Sequence, residues 1–166
     1  MDSWSGTEGD ERSGQPAGEA AKAAEFVLEL PSDLRVIEPA VSYLVNRCRA
    51  FGYRGSRLSL NFRVGVTEAL ANAILYGNGG DARRMVQVEV SLNAVRVVLR
   101  VVDQGEGFDP RAVPDPTRPE NVDRTSGRGL FLIRELMDEV EYNDRGNAVC
   151  LVLRREPASR RRSSRK

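Results

Sequence analysis

The order of apolar and polar residues along the chain predicts both strands and helices. From Met85 to Leu92, valines alternate with polar residues, which is the period of a strand with one buried face. From Leu34 to Ala50, apolar residues recur every three or four positions, which is the period of a helix with one buried face. Across the whole chain, these two periods predict strands at residues 25–30, 85–92, 95–102, 140–143 and 148–153, and helices at residues 34–50, 60–75 and 127–137.

The order of these elements predicts an α+β fold. Two pairs of consecutive strands are joined by short turns at residues 93–94 and 144–147, and such hairpins pair their strands antiparallel. Helices and strands do not alternate one for one, as they would in a Rossmann fold. We therefore predict a two-layer α/β sandwich in which about three helices cover one face of a mixed, mostly antiparallel sheet.

Local signals at the helix ends give further expectations. Pro39 is expected to bend the first helix or to shift its start, because proline interrupts the hydrogen bonds of a helix interior. Ser56 or Ser59 is expected to cap the second helix with its hydroxyl oxygen. Residues 110–126 carry several prolines and many polar side chains, which favours a mobile connection.

Composition divides the chain into three parts. Residues 1–24 are rich in Gly, Ser, Ala and Glu and hold too few apolar side chains to form a core, so we expect a disordered N-terminal segment. Residues 25–154 contain all the predicted elements and are expected to form one domain. Residues 155–166 form a basic C-terminal tail, and short tails of this kind are usually solvated.

Two residue types are scarce enough to exclude whole classes of function. The chain contains no histidine, which excludes a Ser-His-Asp triad and a phosphohistidine of its own. Its only lysines, Lys22 and Lys166, lie in the predicted tails, so the domain lacks the lysine of a P-loop or of a eukaryotic-type kinase. A nucleotide would therefore have to be bound by other groups.

Charge and hydropathy favour a cytoplasmic protein. Residues 25–153 carry 16 basic and 18 acidic side chains, which argues against a nucleic-acid groove. No apolar run approaches the ~18 residues of a membrane span, and residues 1–24 lack the apolar region of a secretory signal. Cys48 and Cys150 are too few for a disulfide scaffold and are expected to be buried, reduced thiols.

The first candidate motif lies on the second helix, at Glu68 and Asn72. Residues four apart share one face of a helix, where a carboxylate can accept a proton and an amide oxygen can bind magnesium. The neighbouring residues Ala69, Ala71 and Ala73 leave room for a ligand beside the pair. The alternative is a polar pair on an exposed helix surface, which is common in proteins.

The second motif begins with Asp103, where a hydrophobic strand ends. Its carboxylate can accept a hydrogen bond from an exocyclic amine such as that of adenine. Gly105 and Gly107 allow the backbone to turn sharply and to approach a flat ring. An ordinary turn with an aspartate cap stays open as the alternative, and Glu106 and Asp109 are expected to be solvated turn residues.

The third motif, residues 126–130 with the sequence SGRGL, opens the third helix. Free backbone amides at a helix start, next to glycines, favour phosphate binding, and Arg124 or Arg128 can add positive charge. The alternative is a flexible loop in which Ser126 caps the helix.

The order and spacing of these motifs resemble those of the GHKL ATPase superfamily, which unites gyrase-type ATPases, histidine kinases and mismatch-repair ATPases. Within it, residues 25–154 are similar to the anti-sigma factor serine kinases. Residues 68–78 resemble the N box of that family, residues 103–107 its first glycine box and residues 126–130 its second. Residues 129–140 resemble its C-terminal helix and the strand that follows.

This resemblance implies a site for ATP and magnesium. Glu68 would be the catalytic base that takes a proton from an attacking serine. Asn72 would bind magnesium, and Asp103 would hold the adenine amino group. The remaining implied nucleotide contacts are Asn78, Gly105, Gly107, Thr125, Ser126, Gly127, Arg128 and Gly129.

The same resemblance implies an ATP-dependent protein serine kinase of the cytoplasm. It would act as an anti-sigma factor that sequesters a sigma factor and phosphorylates a STAS-type anti-anti-sigma protein, and the family suggests a homodimer. Two alternatives stay open: an ATP-binding regulatory module without kinase activity, and the catalytic half of a split histidine kinase. One departure is Tyr76, which stands where many relatives have a histidine and whose phenol is expected to fill that space.

Overall fold

The computed structural model describes residues 22–123 and 127–157, which form one sheet and a layer of helices. The strands are β1 (Ala23–Pro31), β2 (Met85–Asn93), β3 (Arg96–Val102), β4 (Glu139–Tyr142) and β5 (Ala148–Arg154), and the helices are α1 (Ile37–Ala50), α2 (Arg63–Asn72) and α3 (Arg128–Leu136). The predicted α+β class, the two layers and the order of the elements are confirmed.

The sheet has the strand order β1-β2-β3-β5-β4, and every pair of neighbours among the described strands is antiparallel. The sheet is therefore not mixed. β1 pairs with β2 along its whole length, from Ala23 opposite Asn93 to Pro31 opposite Met85. This pairing includes Ala23 and Ala24 in the strand, which therefore begins earlier than the alternation of apolar residues predicted.

The first helix begins at Ile37, after a 3-10 turn at Leu34–Val36. The Asp33 carboxylate accepts a hydrogen bond of 2.9 Å from the Arg35 backbone amide at this turn. Pro39 is the third residue of α1, where a backbone amide has no acceptor within the helix. The proline therefore lies in the first turn without interrupting the helix, and of the two predicted effects the shifted start is the correct one.

Helical backbone continues beyond α2 on both sides. A π-helical segment at Arg57–Phe62 precedes α2, and a second one at Ala73–Gly77 follows it. Segments of this wider helix are frequent at functional sites. The second segment follows Asn72 directly, so the candidate pair on α2 lies where the helix geometry changes.

The predicted serine cap of the second helix is wrong. Ser56 makes no hydrogen bond with its side chain to cap the helix. The Ser59 hydroxyl instead donates to the backbone oxygen of Gly55 at 3.1 Å, from inside the first turns. The helical backbone begins too early for either serine to act as a cap.

The core lies between the helices and the inner face of the sheet. Its largest fully buried side chains include Leu44, Phe62, Leu70, Ile74, Leu99 and Leu151. Cys48 lies in this core, where burial raises the pKa of its thiol to about 12, whereas Cys150 is half-buried in the sheet. Both cysteines are free thiols, as predicted. None of the described helices has the length and apolar character needed to cross a membrane.

Candidate functional site

The first two motifs line one small cavity between α2 and the sheet. The cavity has a volume of about 30 Å³, and both Asn72 and Asp103 contribute to its wall. Its other lining residues are Ala69, Ala73, Val101, Phe108, Tyr142, Gly146, Asn147, Ala148 and Val149. Two of the three predicted alanines thus border the open space, whereas Ala71 packs against the core.

Gly129 of the third motif, in the first turn of α3, lies beside Glu68 and Asn72. A Cβ atom added at Gly129 would lie 2.6 Å from the Glu68 Oε2 atom and 3.6 Å from both polar atoms of the Asn72 side chain. Glu68 and Asn72 are half-buried on α2, and neither side chain hydrogen-bonds to another described residue. Because a glycine faces them, both polar groups remain accessible to a ligand.

Asp103 lies in the loop after β3 with one carboxylate oxygen engaged. Its Oδ1 atom accepts a hydrogen bond of 2.8 Å from the Gly105 backbone amide. Burial raises the pKa of the Asp103 carboxyl, against the opposing effects of the Gly105 amide and of the positive charges of Arg145 and Arg84. Within the described residues Oδ2 has no hydrogen-bond partner, so this oxygen can accept a hydrogen bond from a ligand.

Two glycines allow the Asp103 loop to approach the end of the π-helical segment Ala73–Gly77 closely. A Cβ atom at Gly77 would lie 2.3 Å from the Asp103 carboxyl carbon, and one at Gly105 would lie 2.0 Å from the Gly77 backbone oxygen. Both distances are far shorter than any real contact between carbon and these atoms. Gly105 was a predicted site residue and Gly77 was not, although Gly77 lies within residues 68–78, the stretch that resembles the N box.

The same loop packs against the turn between β4 and β5. Gly107 has a φ of 81°, which suits glycine, and a Cβ atom there would lie 1.8 Å from the Arg145 backbone oxygen. A Cβ atom at Gly146 would lie 1.8 Å from the Phe108 backbone oxygen. The contact of this turn with the site was not predicted, because a hairpin turn carries no sequence signal for what it packs against.

Two aromatic rings close the cavity on the side of this turn. Phe108 and Tyr142 meet edge to face with ring centroids 5.3 Å apart. Burial raises the pKa of the Tyr142 phenol to about 12, so the ring is neutral at physiological pH. The pair adds an apolar surface to the cavity that Asp103 also lines, a combination that suits a flat heteroaromatic ring.

The start of α3 has the backbone geometry of an anion site. Gly127 caps the helix with a φ of 86°, and the first intrahelical hydrogen bond runs from the Phe131 amide to the Gly127 oxygen at 3.0 Å. The amides of Gly129 and Leu130 precede this bond and have no acceptor within the helix. The Arg128 guanidinium donates to the Val122 backbone oxygen at 2.6 Å. Arg124, Thr125 and Ser126 lie outside the described residues.

Asn78 is buried and Tyr76 is exposed, which differs from the surroundings that the sequence predicted for each. Asn78 is 1% exposed, and all three hydrogen bonds of its amide go to groups of the protein, so we assign it no nucleotide contact. Tyr76 is 81% exposed, so its phenol fills no space within the fold. Asp109 is an exposed turn residue, as predicted, and its carboxylate accepts from the Arg111 backbone amide at 2.9 Å.

Comparison with known proteins finds a matching family model and relatives of similar sequence. Residues 30–153 match the family model of the histidine kinase-like ATPase domain. The chain is similar to the serine-protein kinase RsbW of Oceanobacillus iheyensis, with 26% identity over 128 residues that cover 74% of this chain and 78% of the relative. It is also similar to the RsbW kinases of Staphylococcus epidermidis, with 33% identity over 98 residues, and of Listeria monocytogenes, with 31% identity over 99 residues.

These last two similarities cover 54% and 55% of this chain and 62% and 63% of the relatives, which is less than two thirds of their length. Among solved structures, the fold is similar to that of the RsbU and RsbW domains of a Mycobacterium tuberculosis protein, with a TM-score of 0.55 and 16% identity. That match covers 81% of this chain and 34% of the other. At this identity the similarity concerns the fold alone.

Proposed function

Since the chain belongs to the histidine kinase-like ATPase family, we propose that it is an ATP-dependent protein serine kinase that acts as an anti-sigma factor. The observation that carries this proposal is the convergence of Glu68 and Asn72 on Gly129 at the start of α3. A free carboxylate beside a free amide, at a helix start, suits phosphoryl transfer, in which the protein supplies mainly alignment and charge.

The adenine ring would occupy the cavity beside Asp103. The Oδ2 atom of Asp103 would accept a hydrogen bond from the adenine amino group, with Gly105 and Gly107 keeping the loop close to the ring. A cavity of about 30 Å³ has to widen to admit a purine, and Phe108, which is 44% exposed, is the lining residue that can swing outward. Phe108 and Tyr142 would then contact the face of the ring.

The phosphates of ATP would lie at the start of α3. The backbone amides of Gly129 and Leu130 lie in the first turn of α3, where the helix dipole also favours negative charge. Support for this placement comes from Gly129, which brings the helix start next to Asn72. The residues that we propose on the phosphate side are Thr125, Ser126, Gly127, Arg128 and Gly129.

A magnesium ion fits this site as an ion held mainly by phosphate and water oxygens. The described residues contain no cluster of three or more Asp, Glu, Cys or His side chains that would bind a metal by themselves. Asn72 offers one free amide oxygen, and magnesium is commonly bound through one or two protein oxygens together with substrate phosphates. We propose Asn72 as that ligand, and the bound ion would neutralise phosphate charge.

Glu68 would accept the proton of the attacking serine hydroxyl. As the serine oxygen forms its bond to the γ-phosphorus, the bond from that phosphorus to the oxygen bridging to the β-phosphate breaks. ADP leaves with the electron pair of the broken bond, and the proton stays on the Glu68 carboxylate. The position of Glu68 one helical turn before Asn72 supports this role, because the hydroxyl has to arrive beside the γ-phosphate.

The protein partners are proposed from the family. The curated relatives are named serine-protein kinases, which supports a serine as the phosphate acceptor. We propose a STAS-type anti-anti-sigma protein as the substrate and a sigma factor as the sequestered partner. These roles in the regulation of transcription imply a cytoplasmic protein, and we propose a homodimer as its assembly.

Incubation of the full chain with Mg-[γ-32P]ATP and STAS-domain proteins tests the proposal. We expect acid-stable label on one serine of a STAS protein, and the same STAS protein with that serine replaced by alanine is the control. Binding of a sigma factor that depends on ATP but is accompanied by no transfer would contradict kinase activity and favour a regulatory module. Acid-labile label on a histidine of a second protein would instead favour a split histidine kinase.

A further inference from the structure

A buried hydrogen-bond network lies beneath the loop that carries Asp103. Its centre is the side-chain amide of Asn78, which is 1% exposed, and beside it lies the Ser32 hydroxyl, in a residue that is 6% exposed. Asn78 follows the π-helical segment after α2, and Ser32 follows β1. Buried polar side chains at such junctions must be hydrogen-bonded, because an unpaired amide costs free energy.

The side-chain polar atoms of Asn78 and Ser32 all have hydrogen-bond partners. The Asn78 Nδ2 atom donates to the Ser32 Oγ atom at 2.8 Å and to the Met85 backbone oxygen at 3.0 Å. The Asn78 Oδ1 atom accepts from the Gln104 backbone amide at 2.7 Å. Ser32 donates onward to the Arg84 backbone oxygen at 2.8 Å, and the Gln104 side chain accepts from the Met85 amide at 2.7 Å. The network therefore joins the end of β1 and the end of the π-helical segment after α2 to the Asp103 loop.

One of these bonds holds the turn that aims the Asp103 carboxylate. The Gln104 amide belongs to the peptide that follows Asp103, and the Asp103 Oδ1 atom accepts from the next amide, that of Gly105. Gly77, the neighbour of Asn78 in sequence, packs against the same carboxylate. The segment containing Asn78 thus contacts the Asp103 turn at its backbone and at its side chain.

We propose that Asn78 is a positioning residue that fixes the Gln104 amide, aims the Asp103 carboxylate and thereby determines the preference for 6-amino purine nucleotides. This inference rests on the proposed ATP site. Adenine presents a donor amine at C6, whereas guanine presents an acceptor oxygen there. A carboxylate with a fixed direction attracts the first and repels the second, and a carboxylate that is free to rotate loses part of both effects.

The Ser32→Ala variant distinguishes a positioning role of Asn78 from a purely structural one. Ser32→Ala removes the two hydrogen bonds of the Ser32 hydroxyl but leaves the bond between Asn78 and the Gln104 amide in place. Asn78→Ala removes all three hydrogen bonds of the Asn78 amide, including the bond to Gln104. A structural role predicts that both variants lower the free energy of unfolding without changing nucleotide preference, whereas a positioning role predicts that only Asn78→Ala changes the preference.

The experiment measures the dissociation constants of ATP and GTP by calorimetry for wild type, Asn78→Ala, Ser32→Ala and, as the positive control, Asp103→Asn. We expect Asn78→Ala to lower the preference for ATP over GTP by about tenfold. Ser32→Ala should keep the preference within about twofold of wild type. Equal preference in Asn78→Ala and wild type, or equal loss in Asn78→Ala and Ser32→Ala, would overturn the inference.

Asn78→Asp provides a second test that does not depend on the folding of Asn78→Ala. One carboxyl oxygen can still accept from the Gln104 amide, so we expect the preference for ATP to be retained even if the free energy of unfolding falls. Loss of the preference in Asn78→Asp would overturn the positioning role. A wild-type protein that binds neither nucleotide, or both equally, would overturn the proposed ATP site and the inference with it.

Discussion

At the scale of single residues, two glycines of the site are required by contacts and not by backbone conformation. Neither Gly77 nor Gly129 has a positive φ. A side chain at Gly77 would nevertheless collide with Asp103, and one at Gly129 would collide with Glu68. Each contact joins segments that are far apart in the sequence. Substitution of either glycine therefore tests whether these segments meet in the site as described.

Gly129→Ala is expected to reduce phosphate transfer by about a hundredfold, which is the typical effect of displacing a reacting group by roughly 1 Å. The added methyl group would lie 2.6 Å from the Glu68 Oε2 atom, so the carboxylate has to move. The free energy of unfolding should not fall, because alanine favours the helix over glycine by ~0.5–1 kcal/mol. Single-turnover transfer to the STAS protein measures the effect.

Glu135→Ala, an exposed change on the same helix, is the matched control and should transfer phosphate at the wild-type rate. A Gly129→Ala protein that is as fast as this control would show that the position of Glu68 is not needed for transfer.

At the scale of elements, one short motif organises three turns. Asp33, Asp81 and Asp109 each accept a hydrogen bond from the backbone amide two residues later, at 2.9, 3.0 and 2.9 Å. In each case that residue is an arginine whose guanidinium also pairs with the carboxylate. These contacts lower the pKa of all three carboxyls, to about 2 for Asp33 and for Asp81.

The turn at Asp33 should therefore make folding dependent on pH. Hydrogen bonds from Arg35 lower the Asp33 pKa from 3.8 to about 2 in the folded protein, so folding favours the ionised carboxylate. The resulting stability is present above ~pH 5 and is lost as the pH falls towards 2. Urea unfolding of wild type and Asp33→Asn should show a difference in stability at pH 6 that shrinks towards pH 2.

Glu25→Gln is the control, because Glu25 is exposed on β1 and makes no hydrogen bond with its side chain to a described residue. A difference between wild type and Asp33→Asn that is the same at pH 6 and at pH 2 would contradict the role of this turn.

The periodicity of apolar residues predicted the elements well because each strand and helix buries one face. Boundaries that depend on pairing or on neighbouring turns were less predictable. β1 extends to Ala23 because it pairs with β2, and helical backbone is already present at residues 55 and 56, before the π-helical segment Arg57–Phe62, so Ser56 does not act as a cap. The spacing of Asp33 and Arg35 was visible in the sequence, but only the structure showed that it recurs as a turn.

At the scale of the whole molecule, the helix layer and the sheet bring two distant motifs to one cavity and place Gly129 of the third motif beside Glu68 and Asn72. The sequence singled out Glu68, Asn72 and Asp103 as candidate site residues, because polar residues beside small residues stand out against the apolar pattern. It could not distinguish a ligand-binding amide from a buried structural one, and so it misassigned Asn78. It also missed the aromatic wall, because Phe108 and Tyr142 meet only after β4 and the loop after β3 have packed together.

The central claim is that the protein transfers phosphate from ATP, with Glu68 as the base. The most direct measurement is the single-turnover rate of transfer to the STAS serine by wild type and by Glu68→Gln, with ATP binding measured on the same samples. We predict that Glu68→Gln binds ATP as tightly as wild type and transfers phosphate at least about a hundredfold more slowly. Transfer by Glu68→Gln at the wild-type rate would contradict the claim.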